Sequence, residues 1–370
     1  MSKRTNGEGS ITFDKTRNTY RVAISTPDGK RIFKRFKTKD EALRWKSEQL
    51  HDIHHGTFVA PTKMTLGQWL IEWLSTYKQG TVKPRTYESY CEIVILAGDL
   101  LGRPLQELTG HDLQKQYQLL SDTRAPATIT KLHRVLHGAI KKAEQMNLVR
   151  RNFILDATPP KIVRKEIVIF TPDEIKRILT SLQQGDYVRY YPLILLAATT
   201  GMRMGELLGL RWCDVDLKKQ TIHIKQQISY TKSRGMFADT PKSSASIRRI
   251  AITDTAAAAL SKLREQAKCL NIDGTDLCFQ TKNRTAISQR NLTRAWKAIL
   301  QGADIPYKNF HVLRHTHATE IANSQISILE VGRRIGHSSP DHTLRMYGHA
   351  IPGYDRHIAD KIEAIYHQNN

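Results

Sequence analysis

Apolar and polar positions alternate along the first sixty residues. Ile11 and Phe13, then Tyr20, Val22 and Ile24, then a run over 31–37 share a period near two, and Pro27-Asp28-Gly29 separates the last two with a turn signal. The pattern predicts a three-stranded antiparallel sheet. A helix is expected over 40–53, with Thr38 as N-cap and Ala42, Leu43, Trp45, Leu50 and Ile53 as its apolar positions. So small a sheet needs a helix over one face. Residues 56–63, with Pro61, read as a linker, and the period then changes. Leu66, Trp69, Leu70, Trp73, Leu74 and Tyr77 recur at three and four residues, and further helices are expected over 86–101 behind Pro84, over 110–120 and over 127–146. Trp69 and Trp73 fit the core of this helical region, with a base-stacking platform as the alternative.

Pro159-Pro160-Lys161 and the charged run 163–166 break the pattern and mark a second boundary. Thr171-Pro172-Asp173-Glu174 then opens a helix with an N-cap, a proline at the first position and acids in the first turn. The apolar run 190–200 predicts a buried helix, and 215–217, 221–224 and 248–252 are strand-like, enough for a small sheet at the edge of a mainly helical region. The expected fold is mainly α and multidomain. Its parts are a small N-terminal three-stranded β-sheet plus helix at 1–57, an all-helical domain at 64–157, and a mixed, mainly-α domain with a small β-sheet at 168–370.

Charge changes this picture. Lys and Arg number 57 against 35 Asp and Glu in 370 residues, a net +22, so the partners to expect are polyanions, nucleic acid before anionic membrane. No run approaches the roughly 18 apolar residues of a membrane span, and the basic N-terminus has no apolar stretch after it, so neither a membrane anchor nor a secretory signal is expected and a cytoplasmic protein is. Cys91, Cys213, Cys269 and Cys278 lie in separate segments without a CxxC pair, which suggests reduced thiols. On the N-terminal sheet, the face opposite the helix is expected to carry Arg21, Arg31, Lys34, Arg35 and Lys37, the complement of a sheet laid into a DNA groove. A solvated charged face is the alternative.

The densest chemistry lies at 310–350, where His311, Arg314, His337 and Tyr347 can each donate a hydrogen bond or charge to a phosphate. His311 and Arg314 stand one turn apart in HVLR. His311 and His315 also have the i, i+4 spacing of metal ligands, but no HExxH glutamate accompanies them. Upstream, Arg203 and Glu206 in TGMRMGEL are three residues apart, so the carboxylate can orient the guanidinium for two phosphate oxygens, unless the two are a surface ion pair. Lys242, at a hairpin in TPKSSASIRRI, can reach a ligand and release a proton, with Lys225 and Lys232 as rivals. Tyr347 follows the helix break at Gly336-His337-Ser338-Ser339. Its phenol is a poor nucleophile at neutral pH unless cations favour the phenolate, and otherwise it is a core or rim residue.

The order TGMRMGEL, TPKSSASIRRI, HVLRHTHAT, GHSS and Tyr347-Gly348-His349 closely resembles the tyrosine recombinase (phage integrase) family. The resemblance covers the last two hundred residues. It implies that Arg203, Lys242, His311, Arg314, His337 and Tyr347 are catalytic, with Glu206 supporting them, and that 168–370 is the catalytic domain. The front of the chain is similar in pattern to a helical core-site-binding domain preceded by an arm-binding sheet domain, as in integrases of phages and integrative elements. What the resemblance implies is site-specific integration, and excision, of a phage or mobile element. Tyr347 would attack a scissile phosphate, leaving a 3′-phosphotyrosine and a free 5′-hydroxyl. Arg203, Arg314, His311 and His337 would stabilise the added charge, Lys242 would protonate the departing oxygen, and His311 would assist proton removal from Tyr347. No cofactor or metal is implied. The expected partners are double-stranded core and arm attachment sites, three further copies in a homotetramer on DNA, and an excision factor or DNA-bending protein. A chromosome-dimer resolving recombinase and a non-catalytic DNA-binding regulator are the alternatives.

Overall fold

The computed structural model describes residues 9–26, 29–163, 166, 168–241, 244–268, 277–281, 283–324, 326–347, 359, 362–363 and 366. The chain divides into two compact units, Met1–Arg164 and Lys165–Asn370.

The first unit opens with strands β1 (Ser10–Asp14), β2 (Thr19–Ser25) and β3 (Arg31–Phe36), antiparallel in that order, as the alternation predicts. Helix α1 (Lys39–His54) covers one face, and its N-terminus is fixed by reciprocal bonds between Thr38 and Glu41. Val22, Ile24 and Ala42 are buried between them, with Ile11, Tyr20, Ile32, Phe36, Trp45, Leu50 and Ile53 packed around. Leu43 is not part of this core; it is 46% exposed. Residues 56–63 are irregular but tied down. The Gln106 amide donates to the carbonyls of Ala60 (2.9 Å) and Leu148 (3.0 Å), and Arg150 pairs with Asp52 at 2.9 Å.

Register corrects one expectation for this sheet. Arg21 pairs with Arg35 and Ser25 with Arg31, so these arginines share the open face, but Lys34 pairs with Val22 and therefore lies on the helix side. Its ammonium sits 5.5 Å from the Phe36 ring centre and 5.6 Å from that of Trp45. Lys37 falls just beyond β3. The open face instead holds Phe33, 53% exposed, with the Arg21 guanidinium 4.2 Å above its ring.

The helical part of this unit comprises α2 (Leu66–Trp73), running on as a π-turn at Leu74–Lys78, then α3 (Pro84–Val94), α4 (Gly110–Ser121) and α5 (Pro126–Gln145). Trp69 and Trp73 are core residues, and the Trp69 indole donates to the Ala139 carbonyl at 3.0 Å. The single helix expected over 86–101 is two pieces. After Val94 the backbone tightens into a 3₁₀ stretch, Ile95–Gly102, broken at Gly98, where φ is 57° and the Gln116 amide takes the Leu96 carbonyl at 2.8 Å.

In the second unit, α6 (Pro172–Ser181) starts as the capping signal predicts, and α7 (Tyr191–Thr200) is the buried apolar helix. Next come α8 (Met204–Leu208), β4 (Val215–Asp216), β5 (Thr221–Ile224), β6 (Gln227–Thr231), β7 (Gly235–Asp239) and β8 (Arg248–Ala251). Strands β4, β5 and β8 form the expected small sheet, whereas the β6–β7 hairpin is an addition to the sequence reading. The remaining helices are α9 (Asp254–Lys268), α10 (Gln289–Gly302), α11 (Val312–Asn323), α12 (Ile328–Ile335) and α13 (Pro340–Tyr347). The core gathers α7, α8, the sheet, α9 and α10 around Trp296 and Leu313, with a smaller cluster of Ala318, Ala322, Val331 and Ile335 between α11 and α12. This packing places the C-terminal end of α7, the start of α11 and the end of α12 together.

Candidate active site

The site is built where three helix ends meet. Helix α7 stops at Gly201, left-handed with φ 62°, and a Cβ there would lie 2.7 Å from the His317 ring, so glycine is required twice over. The chain then turns so that Arg203 is the N-cap of α8, and Glu206, three residues on, accepts from its backbone N–H at 3.0 Å. The Glu206 carboxylate also accepts from Arg203 Nη1 at 2.7 Å; this is a buried pair, with the carboxylate side chain 1% and the guanidinium 27% exposed. The surface ion pair is thereby ruled out. Arg203 further donates to Ser246 Oγ at 3.3 Å and to the Gly336 carbonyl at 2.8 Å.

Arg314 lies in the first turn of α11, buried, and its Nη1 donates to the Gly201 carbonyl at 2.8 Å. Its guanidinium is thus held two residues from Arg203. His311 is not inside the helix but caps it, and its ring meets that of His315 edge-on at 4.9 Å. By surface area His311 keeps contact with solvent. Its ring is nonetheless crowded by protein on the side of Arg314 and Arg203. The resulting desolvation, together with His315 and the Arg314 and Arg203 guanidiniums, lowers its pKa to about 4, and the Glu206 charge opposes them. At neutral pH His311 is therefore an uncharged imidazole, suited to accept a proton rather than to supply positive charge.

His337 follows Gly336, the left-handed C-cap of α12 (φ 71°), and its Nδ1 lies 2.9 Å from Thr343 Oγ1 on α13. Thr343 in turn fills the space beside Gly332, where a Cβ would approach its hydroxyl to 2.9 Å. Helix α13 is thereby docked on α12, and Tyr347 is its last residue, one turn beyond Thr343. The Tyr347 side chain lies outside the described residues. Lys242 does too; of its rivals, Lys225 is engaged by Asp214 at 2.9 Å.

Four of the six residues picked from sequence as catalytic, Arg203, His311, Arg314 and His337, therefore converge, with Glu206 behind them. His317, given no role from sequence, has a structural one, accepting from Arg334 Nε at 3.1 Å. Burial and the Arg334 charge lower its pKa to about 4. Sequence reasoning missed Arg248. It donates from Nη1 and Nη2 to the two Glu206 oxygens at 3.2 and 3.1 Å, from Nη1 to the Ser246 carbonyl at 3.0 Å and from Nε to the Arg334 carbonyl at 2.7 Å. The available signal was parity, since Arg248 shares the face of Ile250, which is buried. Burial pushes the Glu206 carboxyl up, but the Arg248 and Arg203 charges and hydrogen bonds outweigh it and hold the group below the usual carboxylate range. The whole assembly is a hydrogen-bonded cluster with three guanidiniums and one carboxylate, chemically able to bind a phosphate and to stabilise charge added to it.

Residues 169–352 match the model of the phage integrase family. The chain is 29% identical over 379 residues to a "Tyrosine recombinase XerC-like" of Caldanaerobacter subterraneus, covering 94% of this chain and 96% of that protein. It is 25% identical over 297 residues to the ICEBs1 integrase of Bacillus subtilis, covering 76% and 78%. In fold it is similar to the Tn1549 transposon integrase solved in complex with a circular intermediate DNA, with a TM-score of 0.70 at 23% identity, over 80% of this chain and 99% of that one. Through residues 169–352 the chain belongs to the tyrosine recombinase (phage integrase) family and is a tyrosine-type site-specific recombinase.

Proposed function

We propose that the chain is the integrase of a mobile element, and that it cuts and rejoins DNA through a 3′-phosphotyrosine at Tyr347 for integration and excision. The observation that carries this reading is the convergence of Arg203, Arg314, His311 and His337 where the end of α7, the start of α11 and the end of α12 meet. In the reaction, the Tyr347 oxygen bonds to the scissile phosphorus, the bond to the 5′-oxygen breaks, and a free 5′-hydroxyl leaves. The non-bridging oxygens gain charge, which Arg203, Arg314 and His337 stabilise as preorganised donors. Neutral His311 takes the phenol proton, and Lys242 gives a proton to the leaving oxygen. The bond energy is retained in the phosphotyrosine, so the 5′-hydroxyl of another strand reverses the step.

In this reading residues 64–157 and 168–370 grip the core site and 1–57 the arm site, four copies assemble on two duplexes in the cytoplasm, and an excision or DNA-bending factor sets direction. Support for the mobile-element assignment comes from the ICEBs1 relative and the Tn1549 fold likeness. A nicked suicide duplex spanning one end of the element tests the chemistry. Wild-type chain should accumulate a covalent adduct whose attached peptide contains Tyr347, while Tyr347→Phe binds the duplex and forms none. An adduct formed by Tyr347→Phe, or attached elsewhere, removes Tyr347 from its role; binding without any adduct leaves a non-catalytic regulator.

A further inference from the structure

Glu206 carries two guanidiniums, and they differ in their access to solvent. The Arg203 side chain is 27% exposed, whereas that of Arg248 is 7% exposed and lies behind the carboxylate. We propose that Arg248 is a positioning residue of the recombination reaction, one whose buried guanidinium fixes both the Arg203 fork and the turn that carries His337. The inference rests on the reading of the site given above.

Each Glu206 oxygen is shared between the two arginines. Oε1 accepts from Arg203 Nη1 (2.7 Å) and Arg248 Nη1 (3.2 Å), and Oε2 from the Arg203 backbone (3.0 Å) and Arg248 Nη2 (3.1 Å). Without Arg248 the carboxylate loses half its partners and the constraint on its rotation, and Arg203 loses its fixed backstop. The same two arginines also hold the end of α12, Arg248 through the Arg334 carbonyl at 2.7 Å and Arg203 through the Gly336 carbonyl at 2.8 Å. These are carbonyls at a helix end without intrahelical partners, and they lie three residues and one residue before His337. Gly336 records the closeness of the grip, since a Cβ there would lie 2.8 Å from Arg248 Nη1. A planar fork reaches acceptors on α8, on the segment before β8 and on α12 at once; a lysine ammonium, a point donor on a flexible stem, does not.

The test uses the full chain on the nicked suicide duplex. Arg248→Lys should slow single-turnover cleavage on the order of 10- to 100-fold, the cost expected of sub-ångström misplacement of a phosphate-binding group, with duplex binding near wild type. A purely structural role would multiply independently with other losses, so the Arg203→Lys/Arg248→Lys pair decides the matter. If Arg248 acts through Arg203 and the His337 turn that Arg203 also holds, the loss in the double variant is smaller than the product of the two single losses. Should Arg248→Lys melt at the assay temperature, Arg248→Gln, which keeps a donor without a buried charge, takes its place in the same cycle. Cleavage by both Arg248 variants within threefold of wild type, or a double variant whose loss is the product of the single losses, overturns the inference. A wild-type chain that forms no adduct removes the reading of the site, and this inference with it.

Discussion

His311 and His317 are both held neutral well above the pH at which they would protonate in place, and this has a consequence for stability. Their folded pKa values of about 4 lie below the ordinary histidine value, so between those limits the unfolded chain binds the more protons. Stability is thus fully present above about pH 6.5 and is lost as the pH falls toward 4. The melting temperature should fall progressively from pH 7 to pH 5, and His311→Gln/His317→Gln should flatten that slope. A wild-type melting temperature constant over this range would contradict the assignment. Within the hydrogen-bonded cluster, Arg314→Ala removes a donor buried against Gly201, and cleavage should drop by 10²- to 10³-fold, roughly 3 kcal/mol of transition-state stabilisation. Such a loss, read in single turnover with duplex binding held saturating, separates transition-state stabilisation from affinity.

At the scale of elements, the sheet at residues 10–36 makes the sharper prediction. Arg21, Arg31 and Arg35 share the open face with Phe33, and Lys34 belongs to the helix side. If the open face meets arm-site phosphates, Arg21→Ala and Arg31→Ala should each lower the salt dependence of binding by about one counterion, while Lys34→Ala leaves that slope alone. A slope that responds to Lys34 as strongly as to Arg21 would place the DNA on the wrong face. Alternation found the strands readily because each side of a small sheet must choose between core and water. It assigned Lys34 to the wrong face because a long cationic side chain can lie over Trp45 and still reach solvent, so its charge says little about its side. In the helical region, Trp69 is the element-level anchor. Trp69→Ala removes a fully buried indole and its bond to Ala139, which should cost about 3–5 kcal/mol in denaturant unfolding.

For the whole molecule, the net charge of +22 and the two compact units frame the expected division of labour. Removing residues 1–57 should abolish integration on long attachment sites and spare cleavage of an isolated core site. Equal loss of both activities would count against an arm-binding role for the sheet module. The Asp52–Arg150 pair and the Gln106 bonds tie that module to the helical region across the stretch that reads as a linker. Composition could not reveal this, because a tethered loop and a free one use the same residues.

The sequence by itself determined the secondary elements with strong periodicity or capping signals, the mainly helical class and the cationic surface that makes a polyanion the partner to expect, because each is written in local spacing or in total charge. It determined the family through five motifs taken in order. What only the tertiary structure decided is which of those residues meet. Gly201, Arg203, Ser246, Arg248, Arg314, Arg334 and Gly336 are brought into one hydrogen-bonded assembly from segments spread over more than a hundred residues of sequence. Arg248 and the β6–β7 hairpin stayed hidden for the same reason, that a buried charge and a short polar strand acquire meaning only from partners supplied by the fold. The crowding by protein and by the His315, Arg314 and Arg203 groups that keeps His311 a neutral imidazole likewise exists only in the folded chain.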